Sequence, residues 1–184
     1  DNTQPHSNNS KNSNISNQYM QKSDTTPIRI FESDQLYTDF YEITLQNANL
    51  DENEQVSKLK EWSNQVISML SPDTKKFTLS KVFMLLIGNA LIPDSSLLKF
   101  YNLFIEFIDL KFVDDLNKRT CLIEVSTAQC GRNEILMILL NSNLDPSTRD
   151  VTGRTCLHYI TENGRHDLLT LVLESIKSSQ YNLS

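Results

Sequence analysis

Asp150-Val151-Thr152-Gly153-Arg154-Thr155-Cys156-Leu157-His158-Tyr159 reads as a tight turn running into a short helix. Gly153 falls where a β-turn wants positive φ, and an inner helix opens on the T-x-L-H of Thr155 to His158. Gly164 ends that helix where a Cβ would be strained, and Leu168, Leu169, Val172 and Leu173 outline an apolar outer helix after it. Thirty-five residues earlier the pattern recurs as Asp115-Leu116-Asn117-Lys118-Arg119-Thr120-Cys121-Leu122. Leu122 to Gly131 spans nine residues and Leu157 to Gly164 seven, so the copies match once two residues are inserted between inner and outer helix. The chain has only four glycines, and three of them fall on positions of this pattern.

This outline resembles the ankyrin repeat, whose period is about 33 residues, over roughly residues 109–176. The resemblance implies an all-α ankyrin-repeat solenoid, a class that binds other macromolecules and does no chemistry. Thr120, Gly131, Gly153, Thr155, His158 and Gly164 carry the structural motif. His158 is expected to be a buried partner that ties the turn to neighbouring hydroxyl and backbone groups. The first copy departs from the pattern: Lys118 takes the turn glycine's place and Ile123 the histidine's, while Cys121 and Cys156 both replace the usual proline. Proline at the first helical position only pre-sets φ, so cysteine there weakens the helix start without preventing it.

Upstream, the composition divides the chain. Eleven of the first 23 residues are Asn or Ser, too little apolar surface to offset backbone entropy, so 1–30 read as a disordered linker. Residues 31–76 read as an N-terminal helical cap. Leu36, Phe40, Ile43 and Leu45 mark a first helix capped at Ser33 or Asp34; Val56, Leu59, Trp62, Val66 and Met69 mark a second, from about Glu52 to Leu70 and ended by Ser71-Pro72. Residues 77–184 read as repeats: a cryptic one over 77–114, with helices from Leu79 to Leu91 and onward from a cap at Asp94, then clear ones over 115–149 and 150–177. The spacing Asp109 to Asp114 copies Asp145 to Asp150. Two repeats alone cannot bury their apolar faces, so the helices of 33–108 are expected to supply the missing layers of one cooperative stack.

Other function classes find little support. A net charge of −6 argues against a nucleic-acid footprint. An apolar run such as Val82 to Ile87 is far shorter than the roughly 18 residues that span a bilayer. The chain opens on Asp1 rather than Met, which reads as an excerpt of a longer protein. Phosphate-loop, dinucleotide, nucleophile-elbow and zincin motifs do not occur, and no catalytic residue, metal ligand or cofactor is expected. Cys121 and Cys156 hold equivalent places on stacked helices about 8–10 Å apart, beyond disulfide reach, so both are expected to be free thiols.

Five of the six arginines lie between residues 119 and 165, with Arg119, Arg149 and Arg154 on or beside the turns. Their planar forks suit an acidic protein partner. The expected partner surface is the fingers and exposed inner-helix positions: Leu116, Asn117, Arg119, Val151, Thr152, Arg154, Tyr159, Glu162 and Asn163.

The two turn segments, DDLNKRTCLIE from Asp114 and DVTGRTCLHY from Asp150, resemble the ankyrin region of fungal phosphate-pathway regulators that join SPX, ankyrin and glycerophosphodiesterase-like domains. Asp115, Asn117, Arg119, Cys121, Leu122 and Glu124 match one repeat of that family; Asp150, Val151, Gly153, Arg154, Leu157, His158 and Tyr159 match the next. The resemblance implies a cytoplasmic and nuclear inhibitor of a cyclin–kinase pair, acting with no nucleic acid or membrane partner and no cofactor. Its alternatives are the non-catalytic middle of a phosphodiesterase or an ankyrin module of an unrelated fungal transcription regulator.

Overall fold

Ser71 and Pro72 illustrate how the chain builds its layers: Pro72 sits at the first helical position and the Ser71 hydroxyl accepts the Thr74 N–H at 3.3 Å. In the computed structural model, which describes residues 26–181 and the side chains of 33–178, every regular element is a helix. They are α1 (Thr26–Gln46), α2 (Glu52–Met69), α3 (Pro72–Gly88), α4 (Asp94–Phe104), α5 (Cys121–Thr127), α6 (Asn133–Asn141), α7 (Cys156–Glu162) and α8 (His166–Tyr181). Among the described residues, no helix is long and apolar enough to cross a membrane.

The helices stack in two rows. α1 packs on α3, α3 on α5 and α5 on α7, forming an inner row; α2, α4, α6 and α8 pack successively as an outer row. α3 packs on α4, α5 on α6 and α7 on α8, so the chain advances as antiparallel helix pairs. α1 and α2 meet through Phe40 and Trp62, whose ring centroids lie 5.7 Å apart. The residues upstream of the two fingers thus form helices that pack in the same two rows as those downstream.

Burial follows from place in the stack. α3 lies between α1 and α5 with α4 behind it, and it buries Leu79, Val82, Phe83, Met84, Leu86 and Ile87. α2, at the end of the outer row, buries only the stripe Leu59, Trp62, Ser63 and Val66. Its Asp51 cap accepts the N–H groups of Asn53 and Glu54, and Glu52 and Glu54 complement the positive end of the helix dipole. Aromatics from four helices pack together: Phe40 meets Phe100 edge-on at 4.9 Å, Trp62 meets Phe104 at 5.7 Å, and Phe83 stacks on Phe100 at 6.3 Å. Each such pair contributes about 0.5–1.5 kcal/mol beyond simple burial.

Several boundaries differ from those read in the sequence. α1 begins at Thr26, inside the stretch expected to be linker, and carries Ser33 as a buried interior residue rather than a cap. The rest of the expected linker, residues 1–25, lies outside the described residues. The Ser-Pro pair that closes α2 also opens α3, so α3 starts at Pro72 instead of Leu79 and crosses the expected division at 76/77. Asp94 does not cap α4; Pro93 holds that place, and the Asp94 carboxylate is engaged by Arg132.

Candidate interaction surface

Two fingers project between the helix pairs. In the second, Asp150 and Arg154 face each other (Asp150 N–H to Arg154 C=O, 2.9 Å), with Gly153 at φ +78°. In the first, the residue opposite Arg119 is Asp114 rather than Asp115, because its N–H donates to the Arg119 carbonyl at 2.9 Å. The first finger is therefore one residue longer than the second. Lys118 takes φ +56°, the left-handed conformation its glycine counterpart adopts freely. Upstream the copies agree: Asp109 accepts the Lys111 N–H and Asp145 the Ser147 N–H, as their shared spacing predicted. A hydrogen bond from Val151 N–H to Asn117 C=O, 2.9 Å, holds the fingers side by side.

At the fingertips Leu116 is 85% and Val151 61% exposed, and Thr152 is also exposed. Tyr159 lies beneath them. It is buried and donates its hydroxyl to Asp150 at 2.6 Å, while the guanidiniums of Arg119 and Arg154 lie over its ring at 5.3 and 4.9 Å. Arg119 also pairs with Glu124 at 3.4 Å, and Arg154 with Glu162 at 2.7 Å. Arg149 reaches the Gly153 carbonyl at 2.6 Å. The finger arginines expected to await an acidic partner are thus engaged within the chain. Asn163 is exposed yet donates to the carbonyls of Ser126 and Thr127, tying α7 to α5.

The structural motif works largely through backbone geometry. Gly131, Gly153 and Gly164 have φ of +63°, +78° and +65°. Gly131 is doubly constrained, since a Cβ there would lie 3.0 Å from an Asp94 carboxylate oxygen. Thr120 accepts the Ile123 N–H at 3.3 Å, and Thr155 forms a capping box with His158. His158 is exposed, not buried as expected; only its Nδ1 is tied in, to the Thr155 N–H at 3.1 Å and its hydroxyl at 2.9 Å. Cys121 and Cys156 are buried free thiols at the first positions of α5 and α7. Burial pushes them up to about 12 and about 11, which suits small apolar fillers rather than nucleophiles.

Two features were not read from the sequence. One is a pair of buried arginines. Arg132, just before α6, donates to the carbonyls of Ile87, Asn89 and Ile92 and to Asp94; Arg165, just before α8, donates to the carbonyls of Ala128 and Gly131 and to Asp167. Both follow a glycine of the motif, and that Gly-Arg repetition was the signal available. The other is a groove of about 560 Å³ between α1, α3, α5 and the first finger, lined by Tyr37, Lys81, Met84, Gly88, Asn117 and Glu124 among others. Lys81 spans it to pair with Asp114. Burial alone would raise the Asp114 carboxyl, but Lys81 and the Asn117 N–H outweigh it and hold the group below its ordinary value. Among the described residues, no cluster of three or more His, Cys, Asp or Glu is placed to hold a metal ion.

Compared with family models, curated proteins and solved structures, the chain matches none of them.

Proposed function

We propose that this chain is an ankyrin-type protein-interaction module, non-catalytic, from a regulator of phosphate-starvation signalling that docks a cyclin–kinase pair in the cytoplasm and nucleus. The observation that carries the reading is the registered pair of fingers, which presents Leu116 and Val151 to solvent side by side above a groove on the inner helices. Isolated large apolar side chains at a surface are ordinary, but two at equivalent positions of a repeated, rigid turn suit the centre of an interface. The stacked helix pairs are consistent with that class, and the resemblance of the turn segments to the fungal regulators is what suggests the partner.

The test is a pull-down of the phosphate-pathway cyclin–kinase pair with the whole chain and with Leu116→Asp/Val151→Asp. Neither side chain is part of the finger's internal hydrogen bonding, so the variant should keep its melting temperature and lose binding by about 2 kcal/mol or more. Charge reversal of Arg119 and Arg154 is a poorer probe than the sequence suggests, because new carboxylates would face Glu124 and Glu162 and damage the fingers themselves. Binding indifferent to the Leu116/Val151 change would move the interface off the fingers, and no capture of the pair by the parent chain would remove the partner.

A further inference from the structure

We infer that the groove between α1, α3, α5 and the first finger receives a lysine or arginine side chain from an extended segment of the partner protein. This rests on the inner row being a protein-binding face and adds the charge of what binds there. Tyr37, Met84 and Leu85 give the groove apolar lining, while Asp34, Asp114 and Glu124 set three carboxylates against the ammonium of Lys81. Lys81 is already committed to Asp114. Glu124 takes its hydrogen bond from Arg119 at 3.4 Å, near the limit for such a bond.

The other Glu124 carboxylate oxygen lies where a Cβ on residue 88 would approach to 2.9 Å, so Gly88 leaves the space it occupies. Burial pushes the Glu124 carboxyl above its ordinary value, an under-neutralised group that a further cation would relieve. A long aliphatic stem ending in a cation matches an apolar floor beside acidic walls. The volume also falls within the roughly 300–1,000 Å³ of small-ligand pockets. An anionic ligand carries the wrong sign for these carboxylates.

The test titrates the whole chain with a capped nonapeptide of alternating arginine and alanine, followed by amide NMR. Saturable shifts at Gly88, Asn89, Asn117 and Glu124 are expected, and the glutamate–alanine counterpart should leave those amides unmoved. Leu85→Arg supplies a guanidinium from the groove's own wall and should weaken the arginine peptide about tenfold. Asp34 is exposed, so Asp34→Asn keeps the fold and should give a loss of about threefold, readable even where Leu85→Arg does not fold. Unmoved groove amides, or a peptide affinity unaffected by Asp34→Asn and by folded Leu85→Arg, would overturn the inference. A cyclin–kinase pair that binds without competition from the arginine peptide sinks this inference alone. Peptide binding with no capture of the pair removes the wider reading and leaves this one standing.

Discussion

Arg132 and Arg165 hold the same place in consecutive helix pairs, each following a left-handed glycine and reaching back to the loop carbonyls of the pair before. Arg132 is only 2% exposed, so its charge is balanced by Asp94 and by three carbonyl dipoles rather than by water. The planar fork is what allows one side chain to meet so many acceptors. Arg132→Met should therefore cost about 3–5 kcal/mol, since it strands a carboxylate and three carbonyls. Arg132→Lys keeps the charge and should recover only a minor part. Urea unfolding midpoints decide it, and a lysine variant as stable as the parent would show that the fork does not matter.

Lys118 holds a conformation that costs a residue with a Cβ about 1–2 kcal/mol. Lys118→Gly should raise stability by about 1 kcal/mol, because the exposed pair with Asp115 that it loses contributes little. Gly153→Ala should lower it by a similar amount. At Gly153 the cause is φ alone, since a Cβ there meets nothing within 4 Å. Melting temperatures that move the opposite way in both variants would show that the fingers are reshaped by these changes.

How far the fold was readable divides along physical lines. Apolar spacing located α2 nearly to the residue, and the glycines marked three turns, because periodicity and positive φ leave direct traces in residue type. The arginines misled. A guanidinium reads as surface, and the repeated Gly-Arg pair, the one local signal, does not reveal that carbonyls 40 or more residues away will surround Arg132. The choice between Asp114 and Asp115 was equally hidden, since either fits a turn and only the pairing with Arg119 selects one. Of the nine expected contact residues, Leu116 and Val151 turn exposed apolar side chains to solvent, whereas Thr152 is hydrogen-bonded to Asp150 and Tyr159 and its two arginines are spent on holding the fingers.

His158 should act as a helix cap and nothing more. His158→Ala should cost about 0.5–2 kcal/mol, toward the lower end because the ring is exposed. His158→Gln should restore much of the loss, since a glutamine at this position can accept the Thr155 N–H in the same box. Thermal melts of the two variants suffice. An alanine variant as stable as the parent would show that the box contributes nothing.

Acid should unfold the stack through carboxylates in its fingers and at its helix starts. The Asp167 carboxyl, hydrogen-bonded by Arg165, is held down to about 2. Burial would raise Asp150, but hydrogen bonds from Thr152 and Tyr159 outweigh it and keep the group well below the usual carboxylate range. Because the folded values lie below the unfolded value of about 3.9, their stabilisation is complete above about pH 5 and is lost as pH falls toward 2. Asp150→Asn should lower stability at neutral pH and flatten the decline in acid. Urea midpoints measured from pH 7 to pH 2 check both, and a parent midpoint that rises below pH 4 would reverse the sign.

The arginine clasps give the stack a direction. In each, the carbonyls belong to the earlier pair and the guanidinium to the later one, Ile87 to Ile92 before Arg132 and Ala128 to Gly131 before Arg165. A ribosome releases the amino end first, so every acceptor set leaves the exit tunnel before its donor. Each new pair then closes the one below it, like a latch set from above, and the array can be completed during synthesis without reopening any layer already formed.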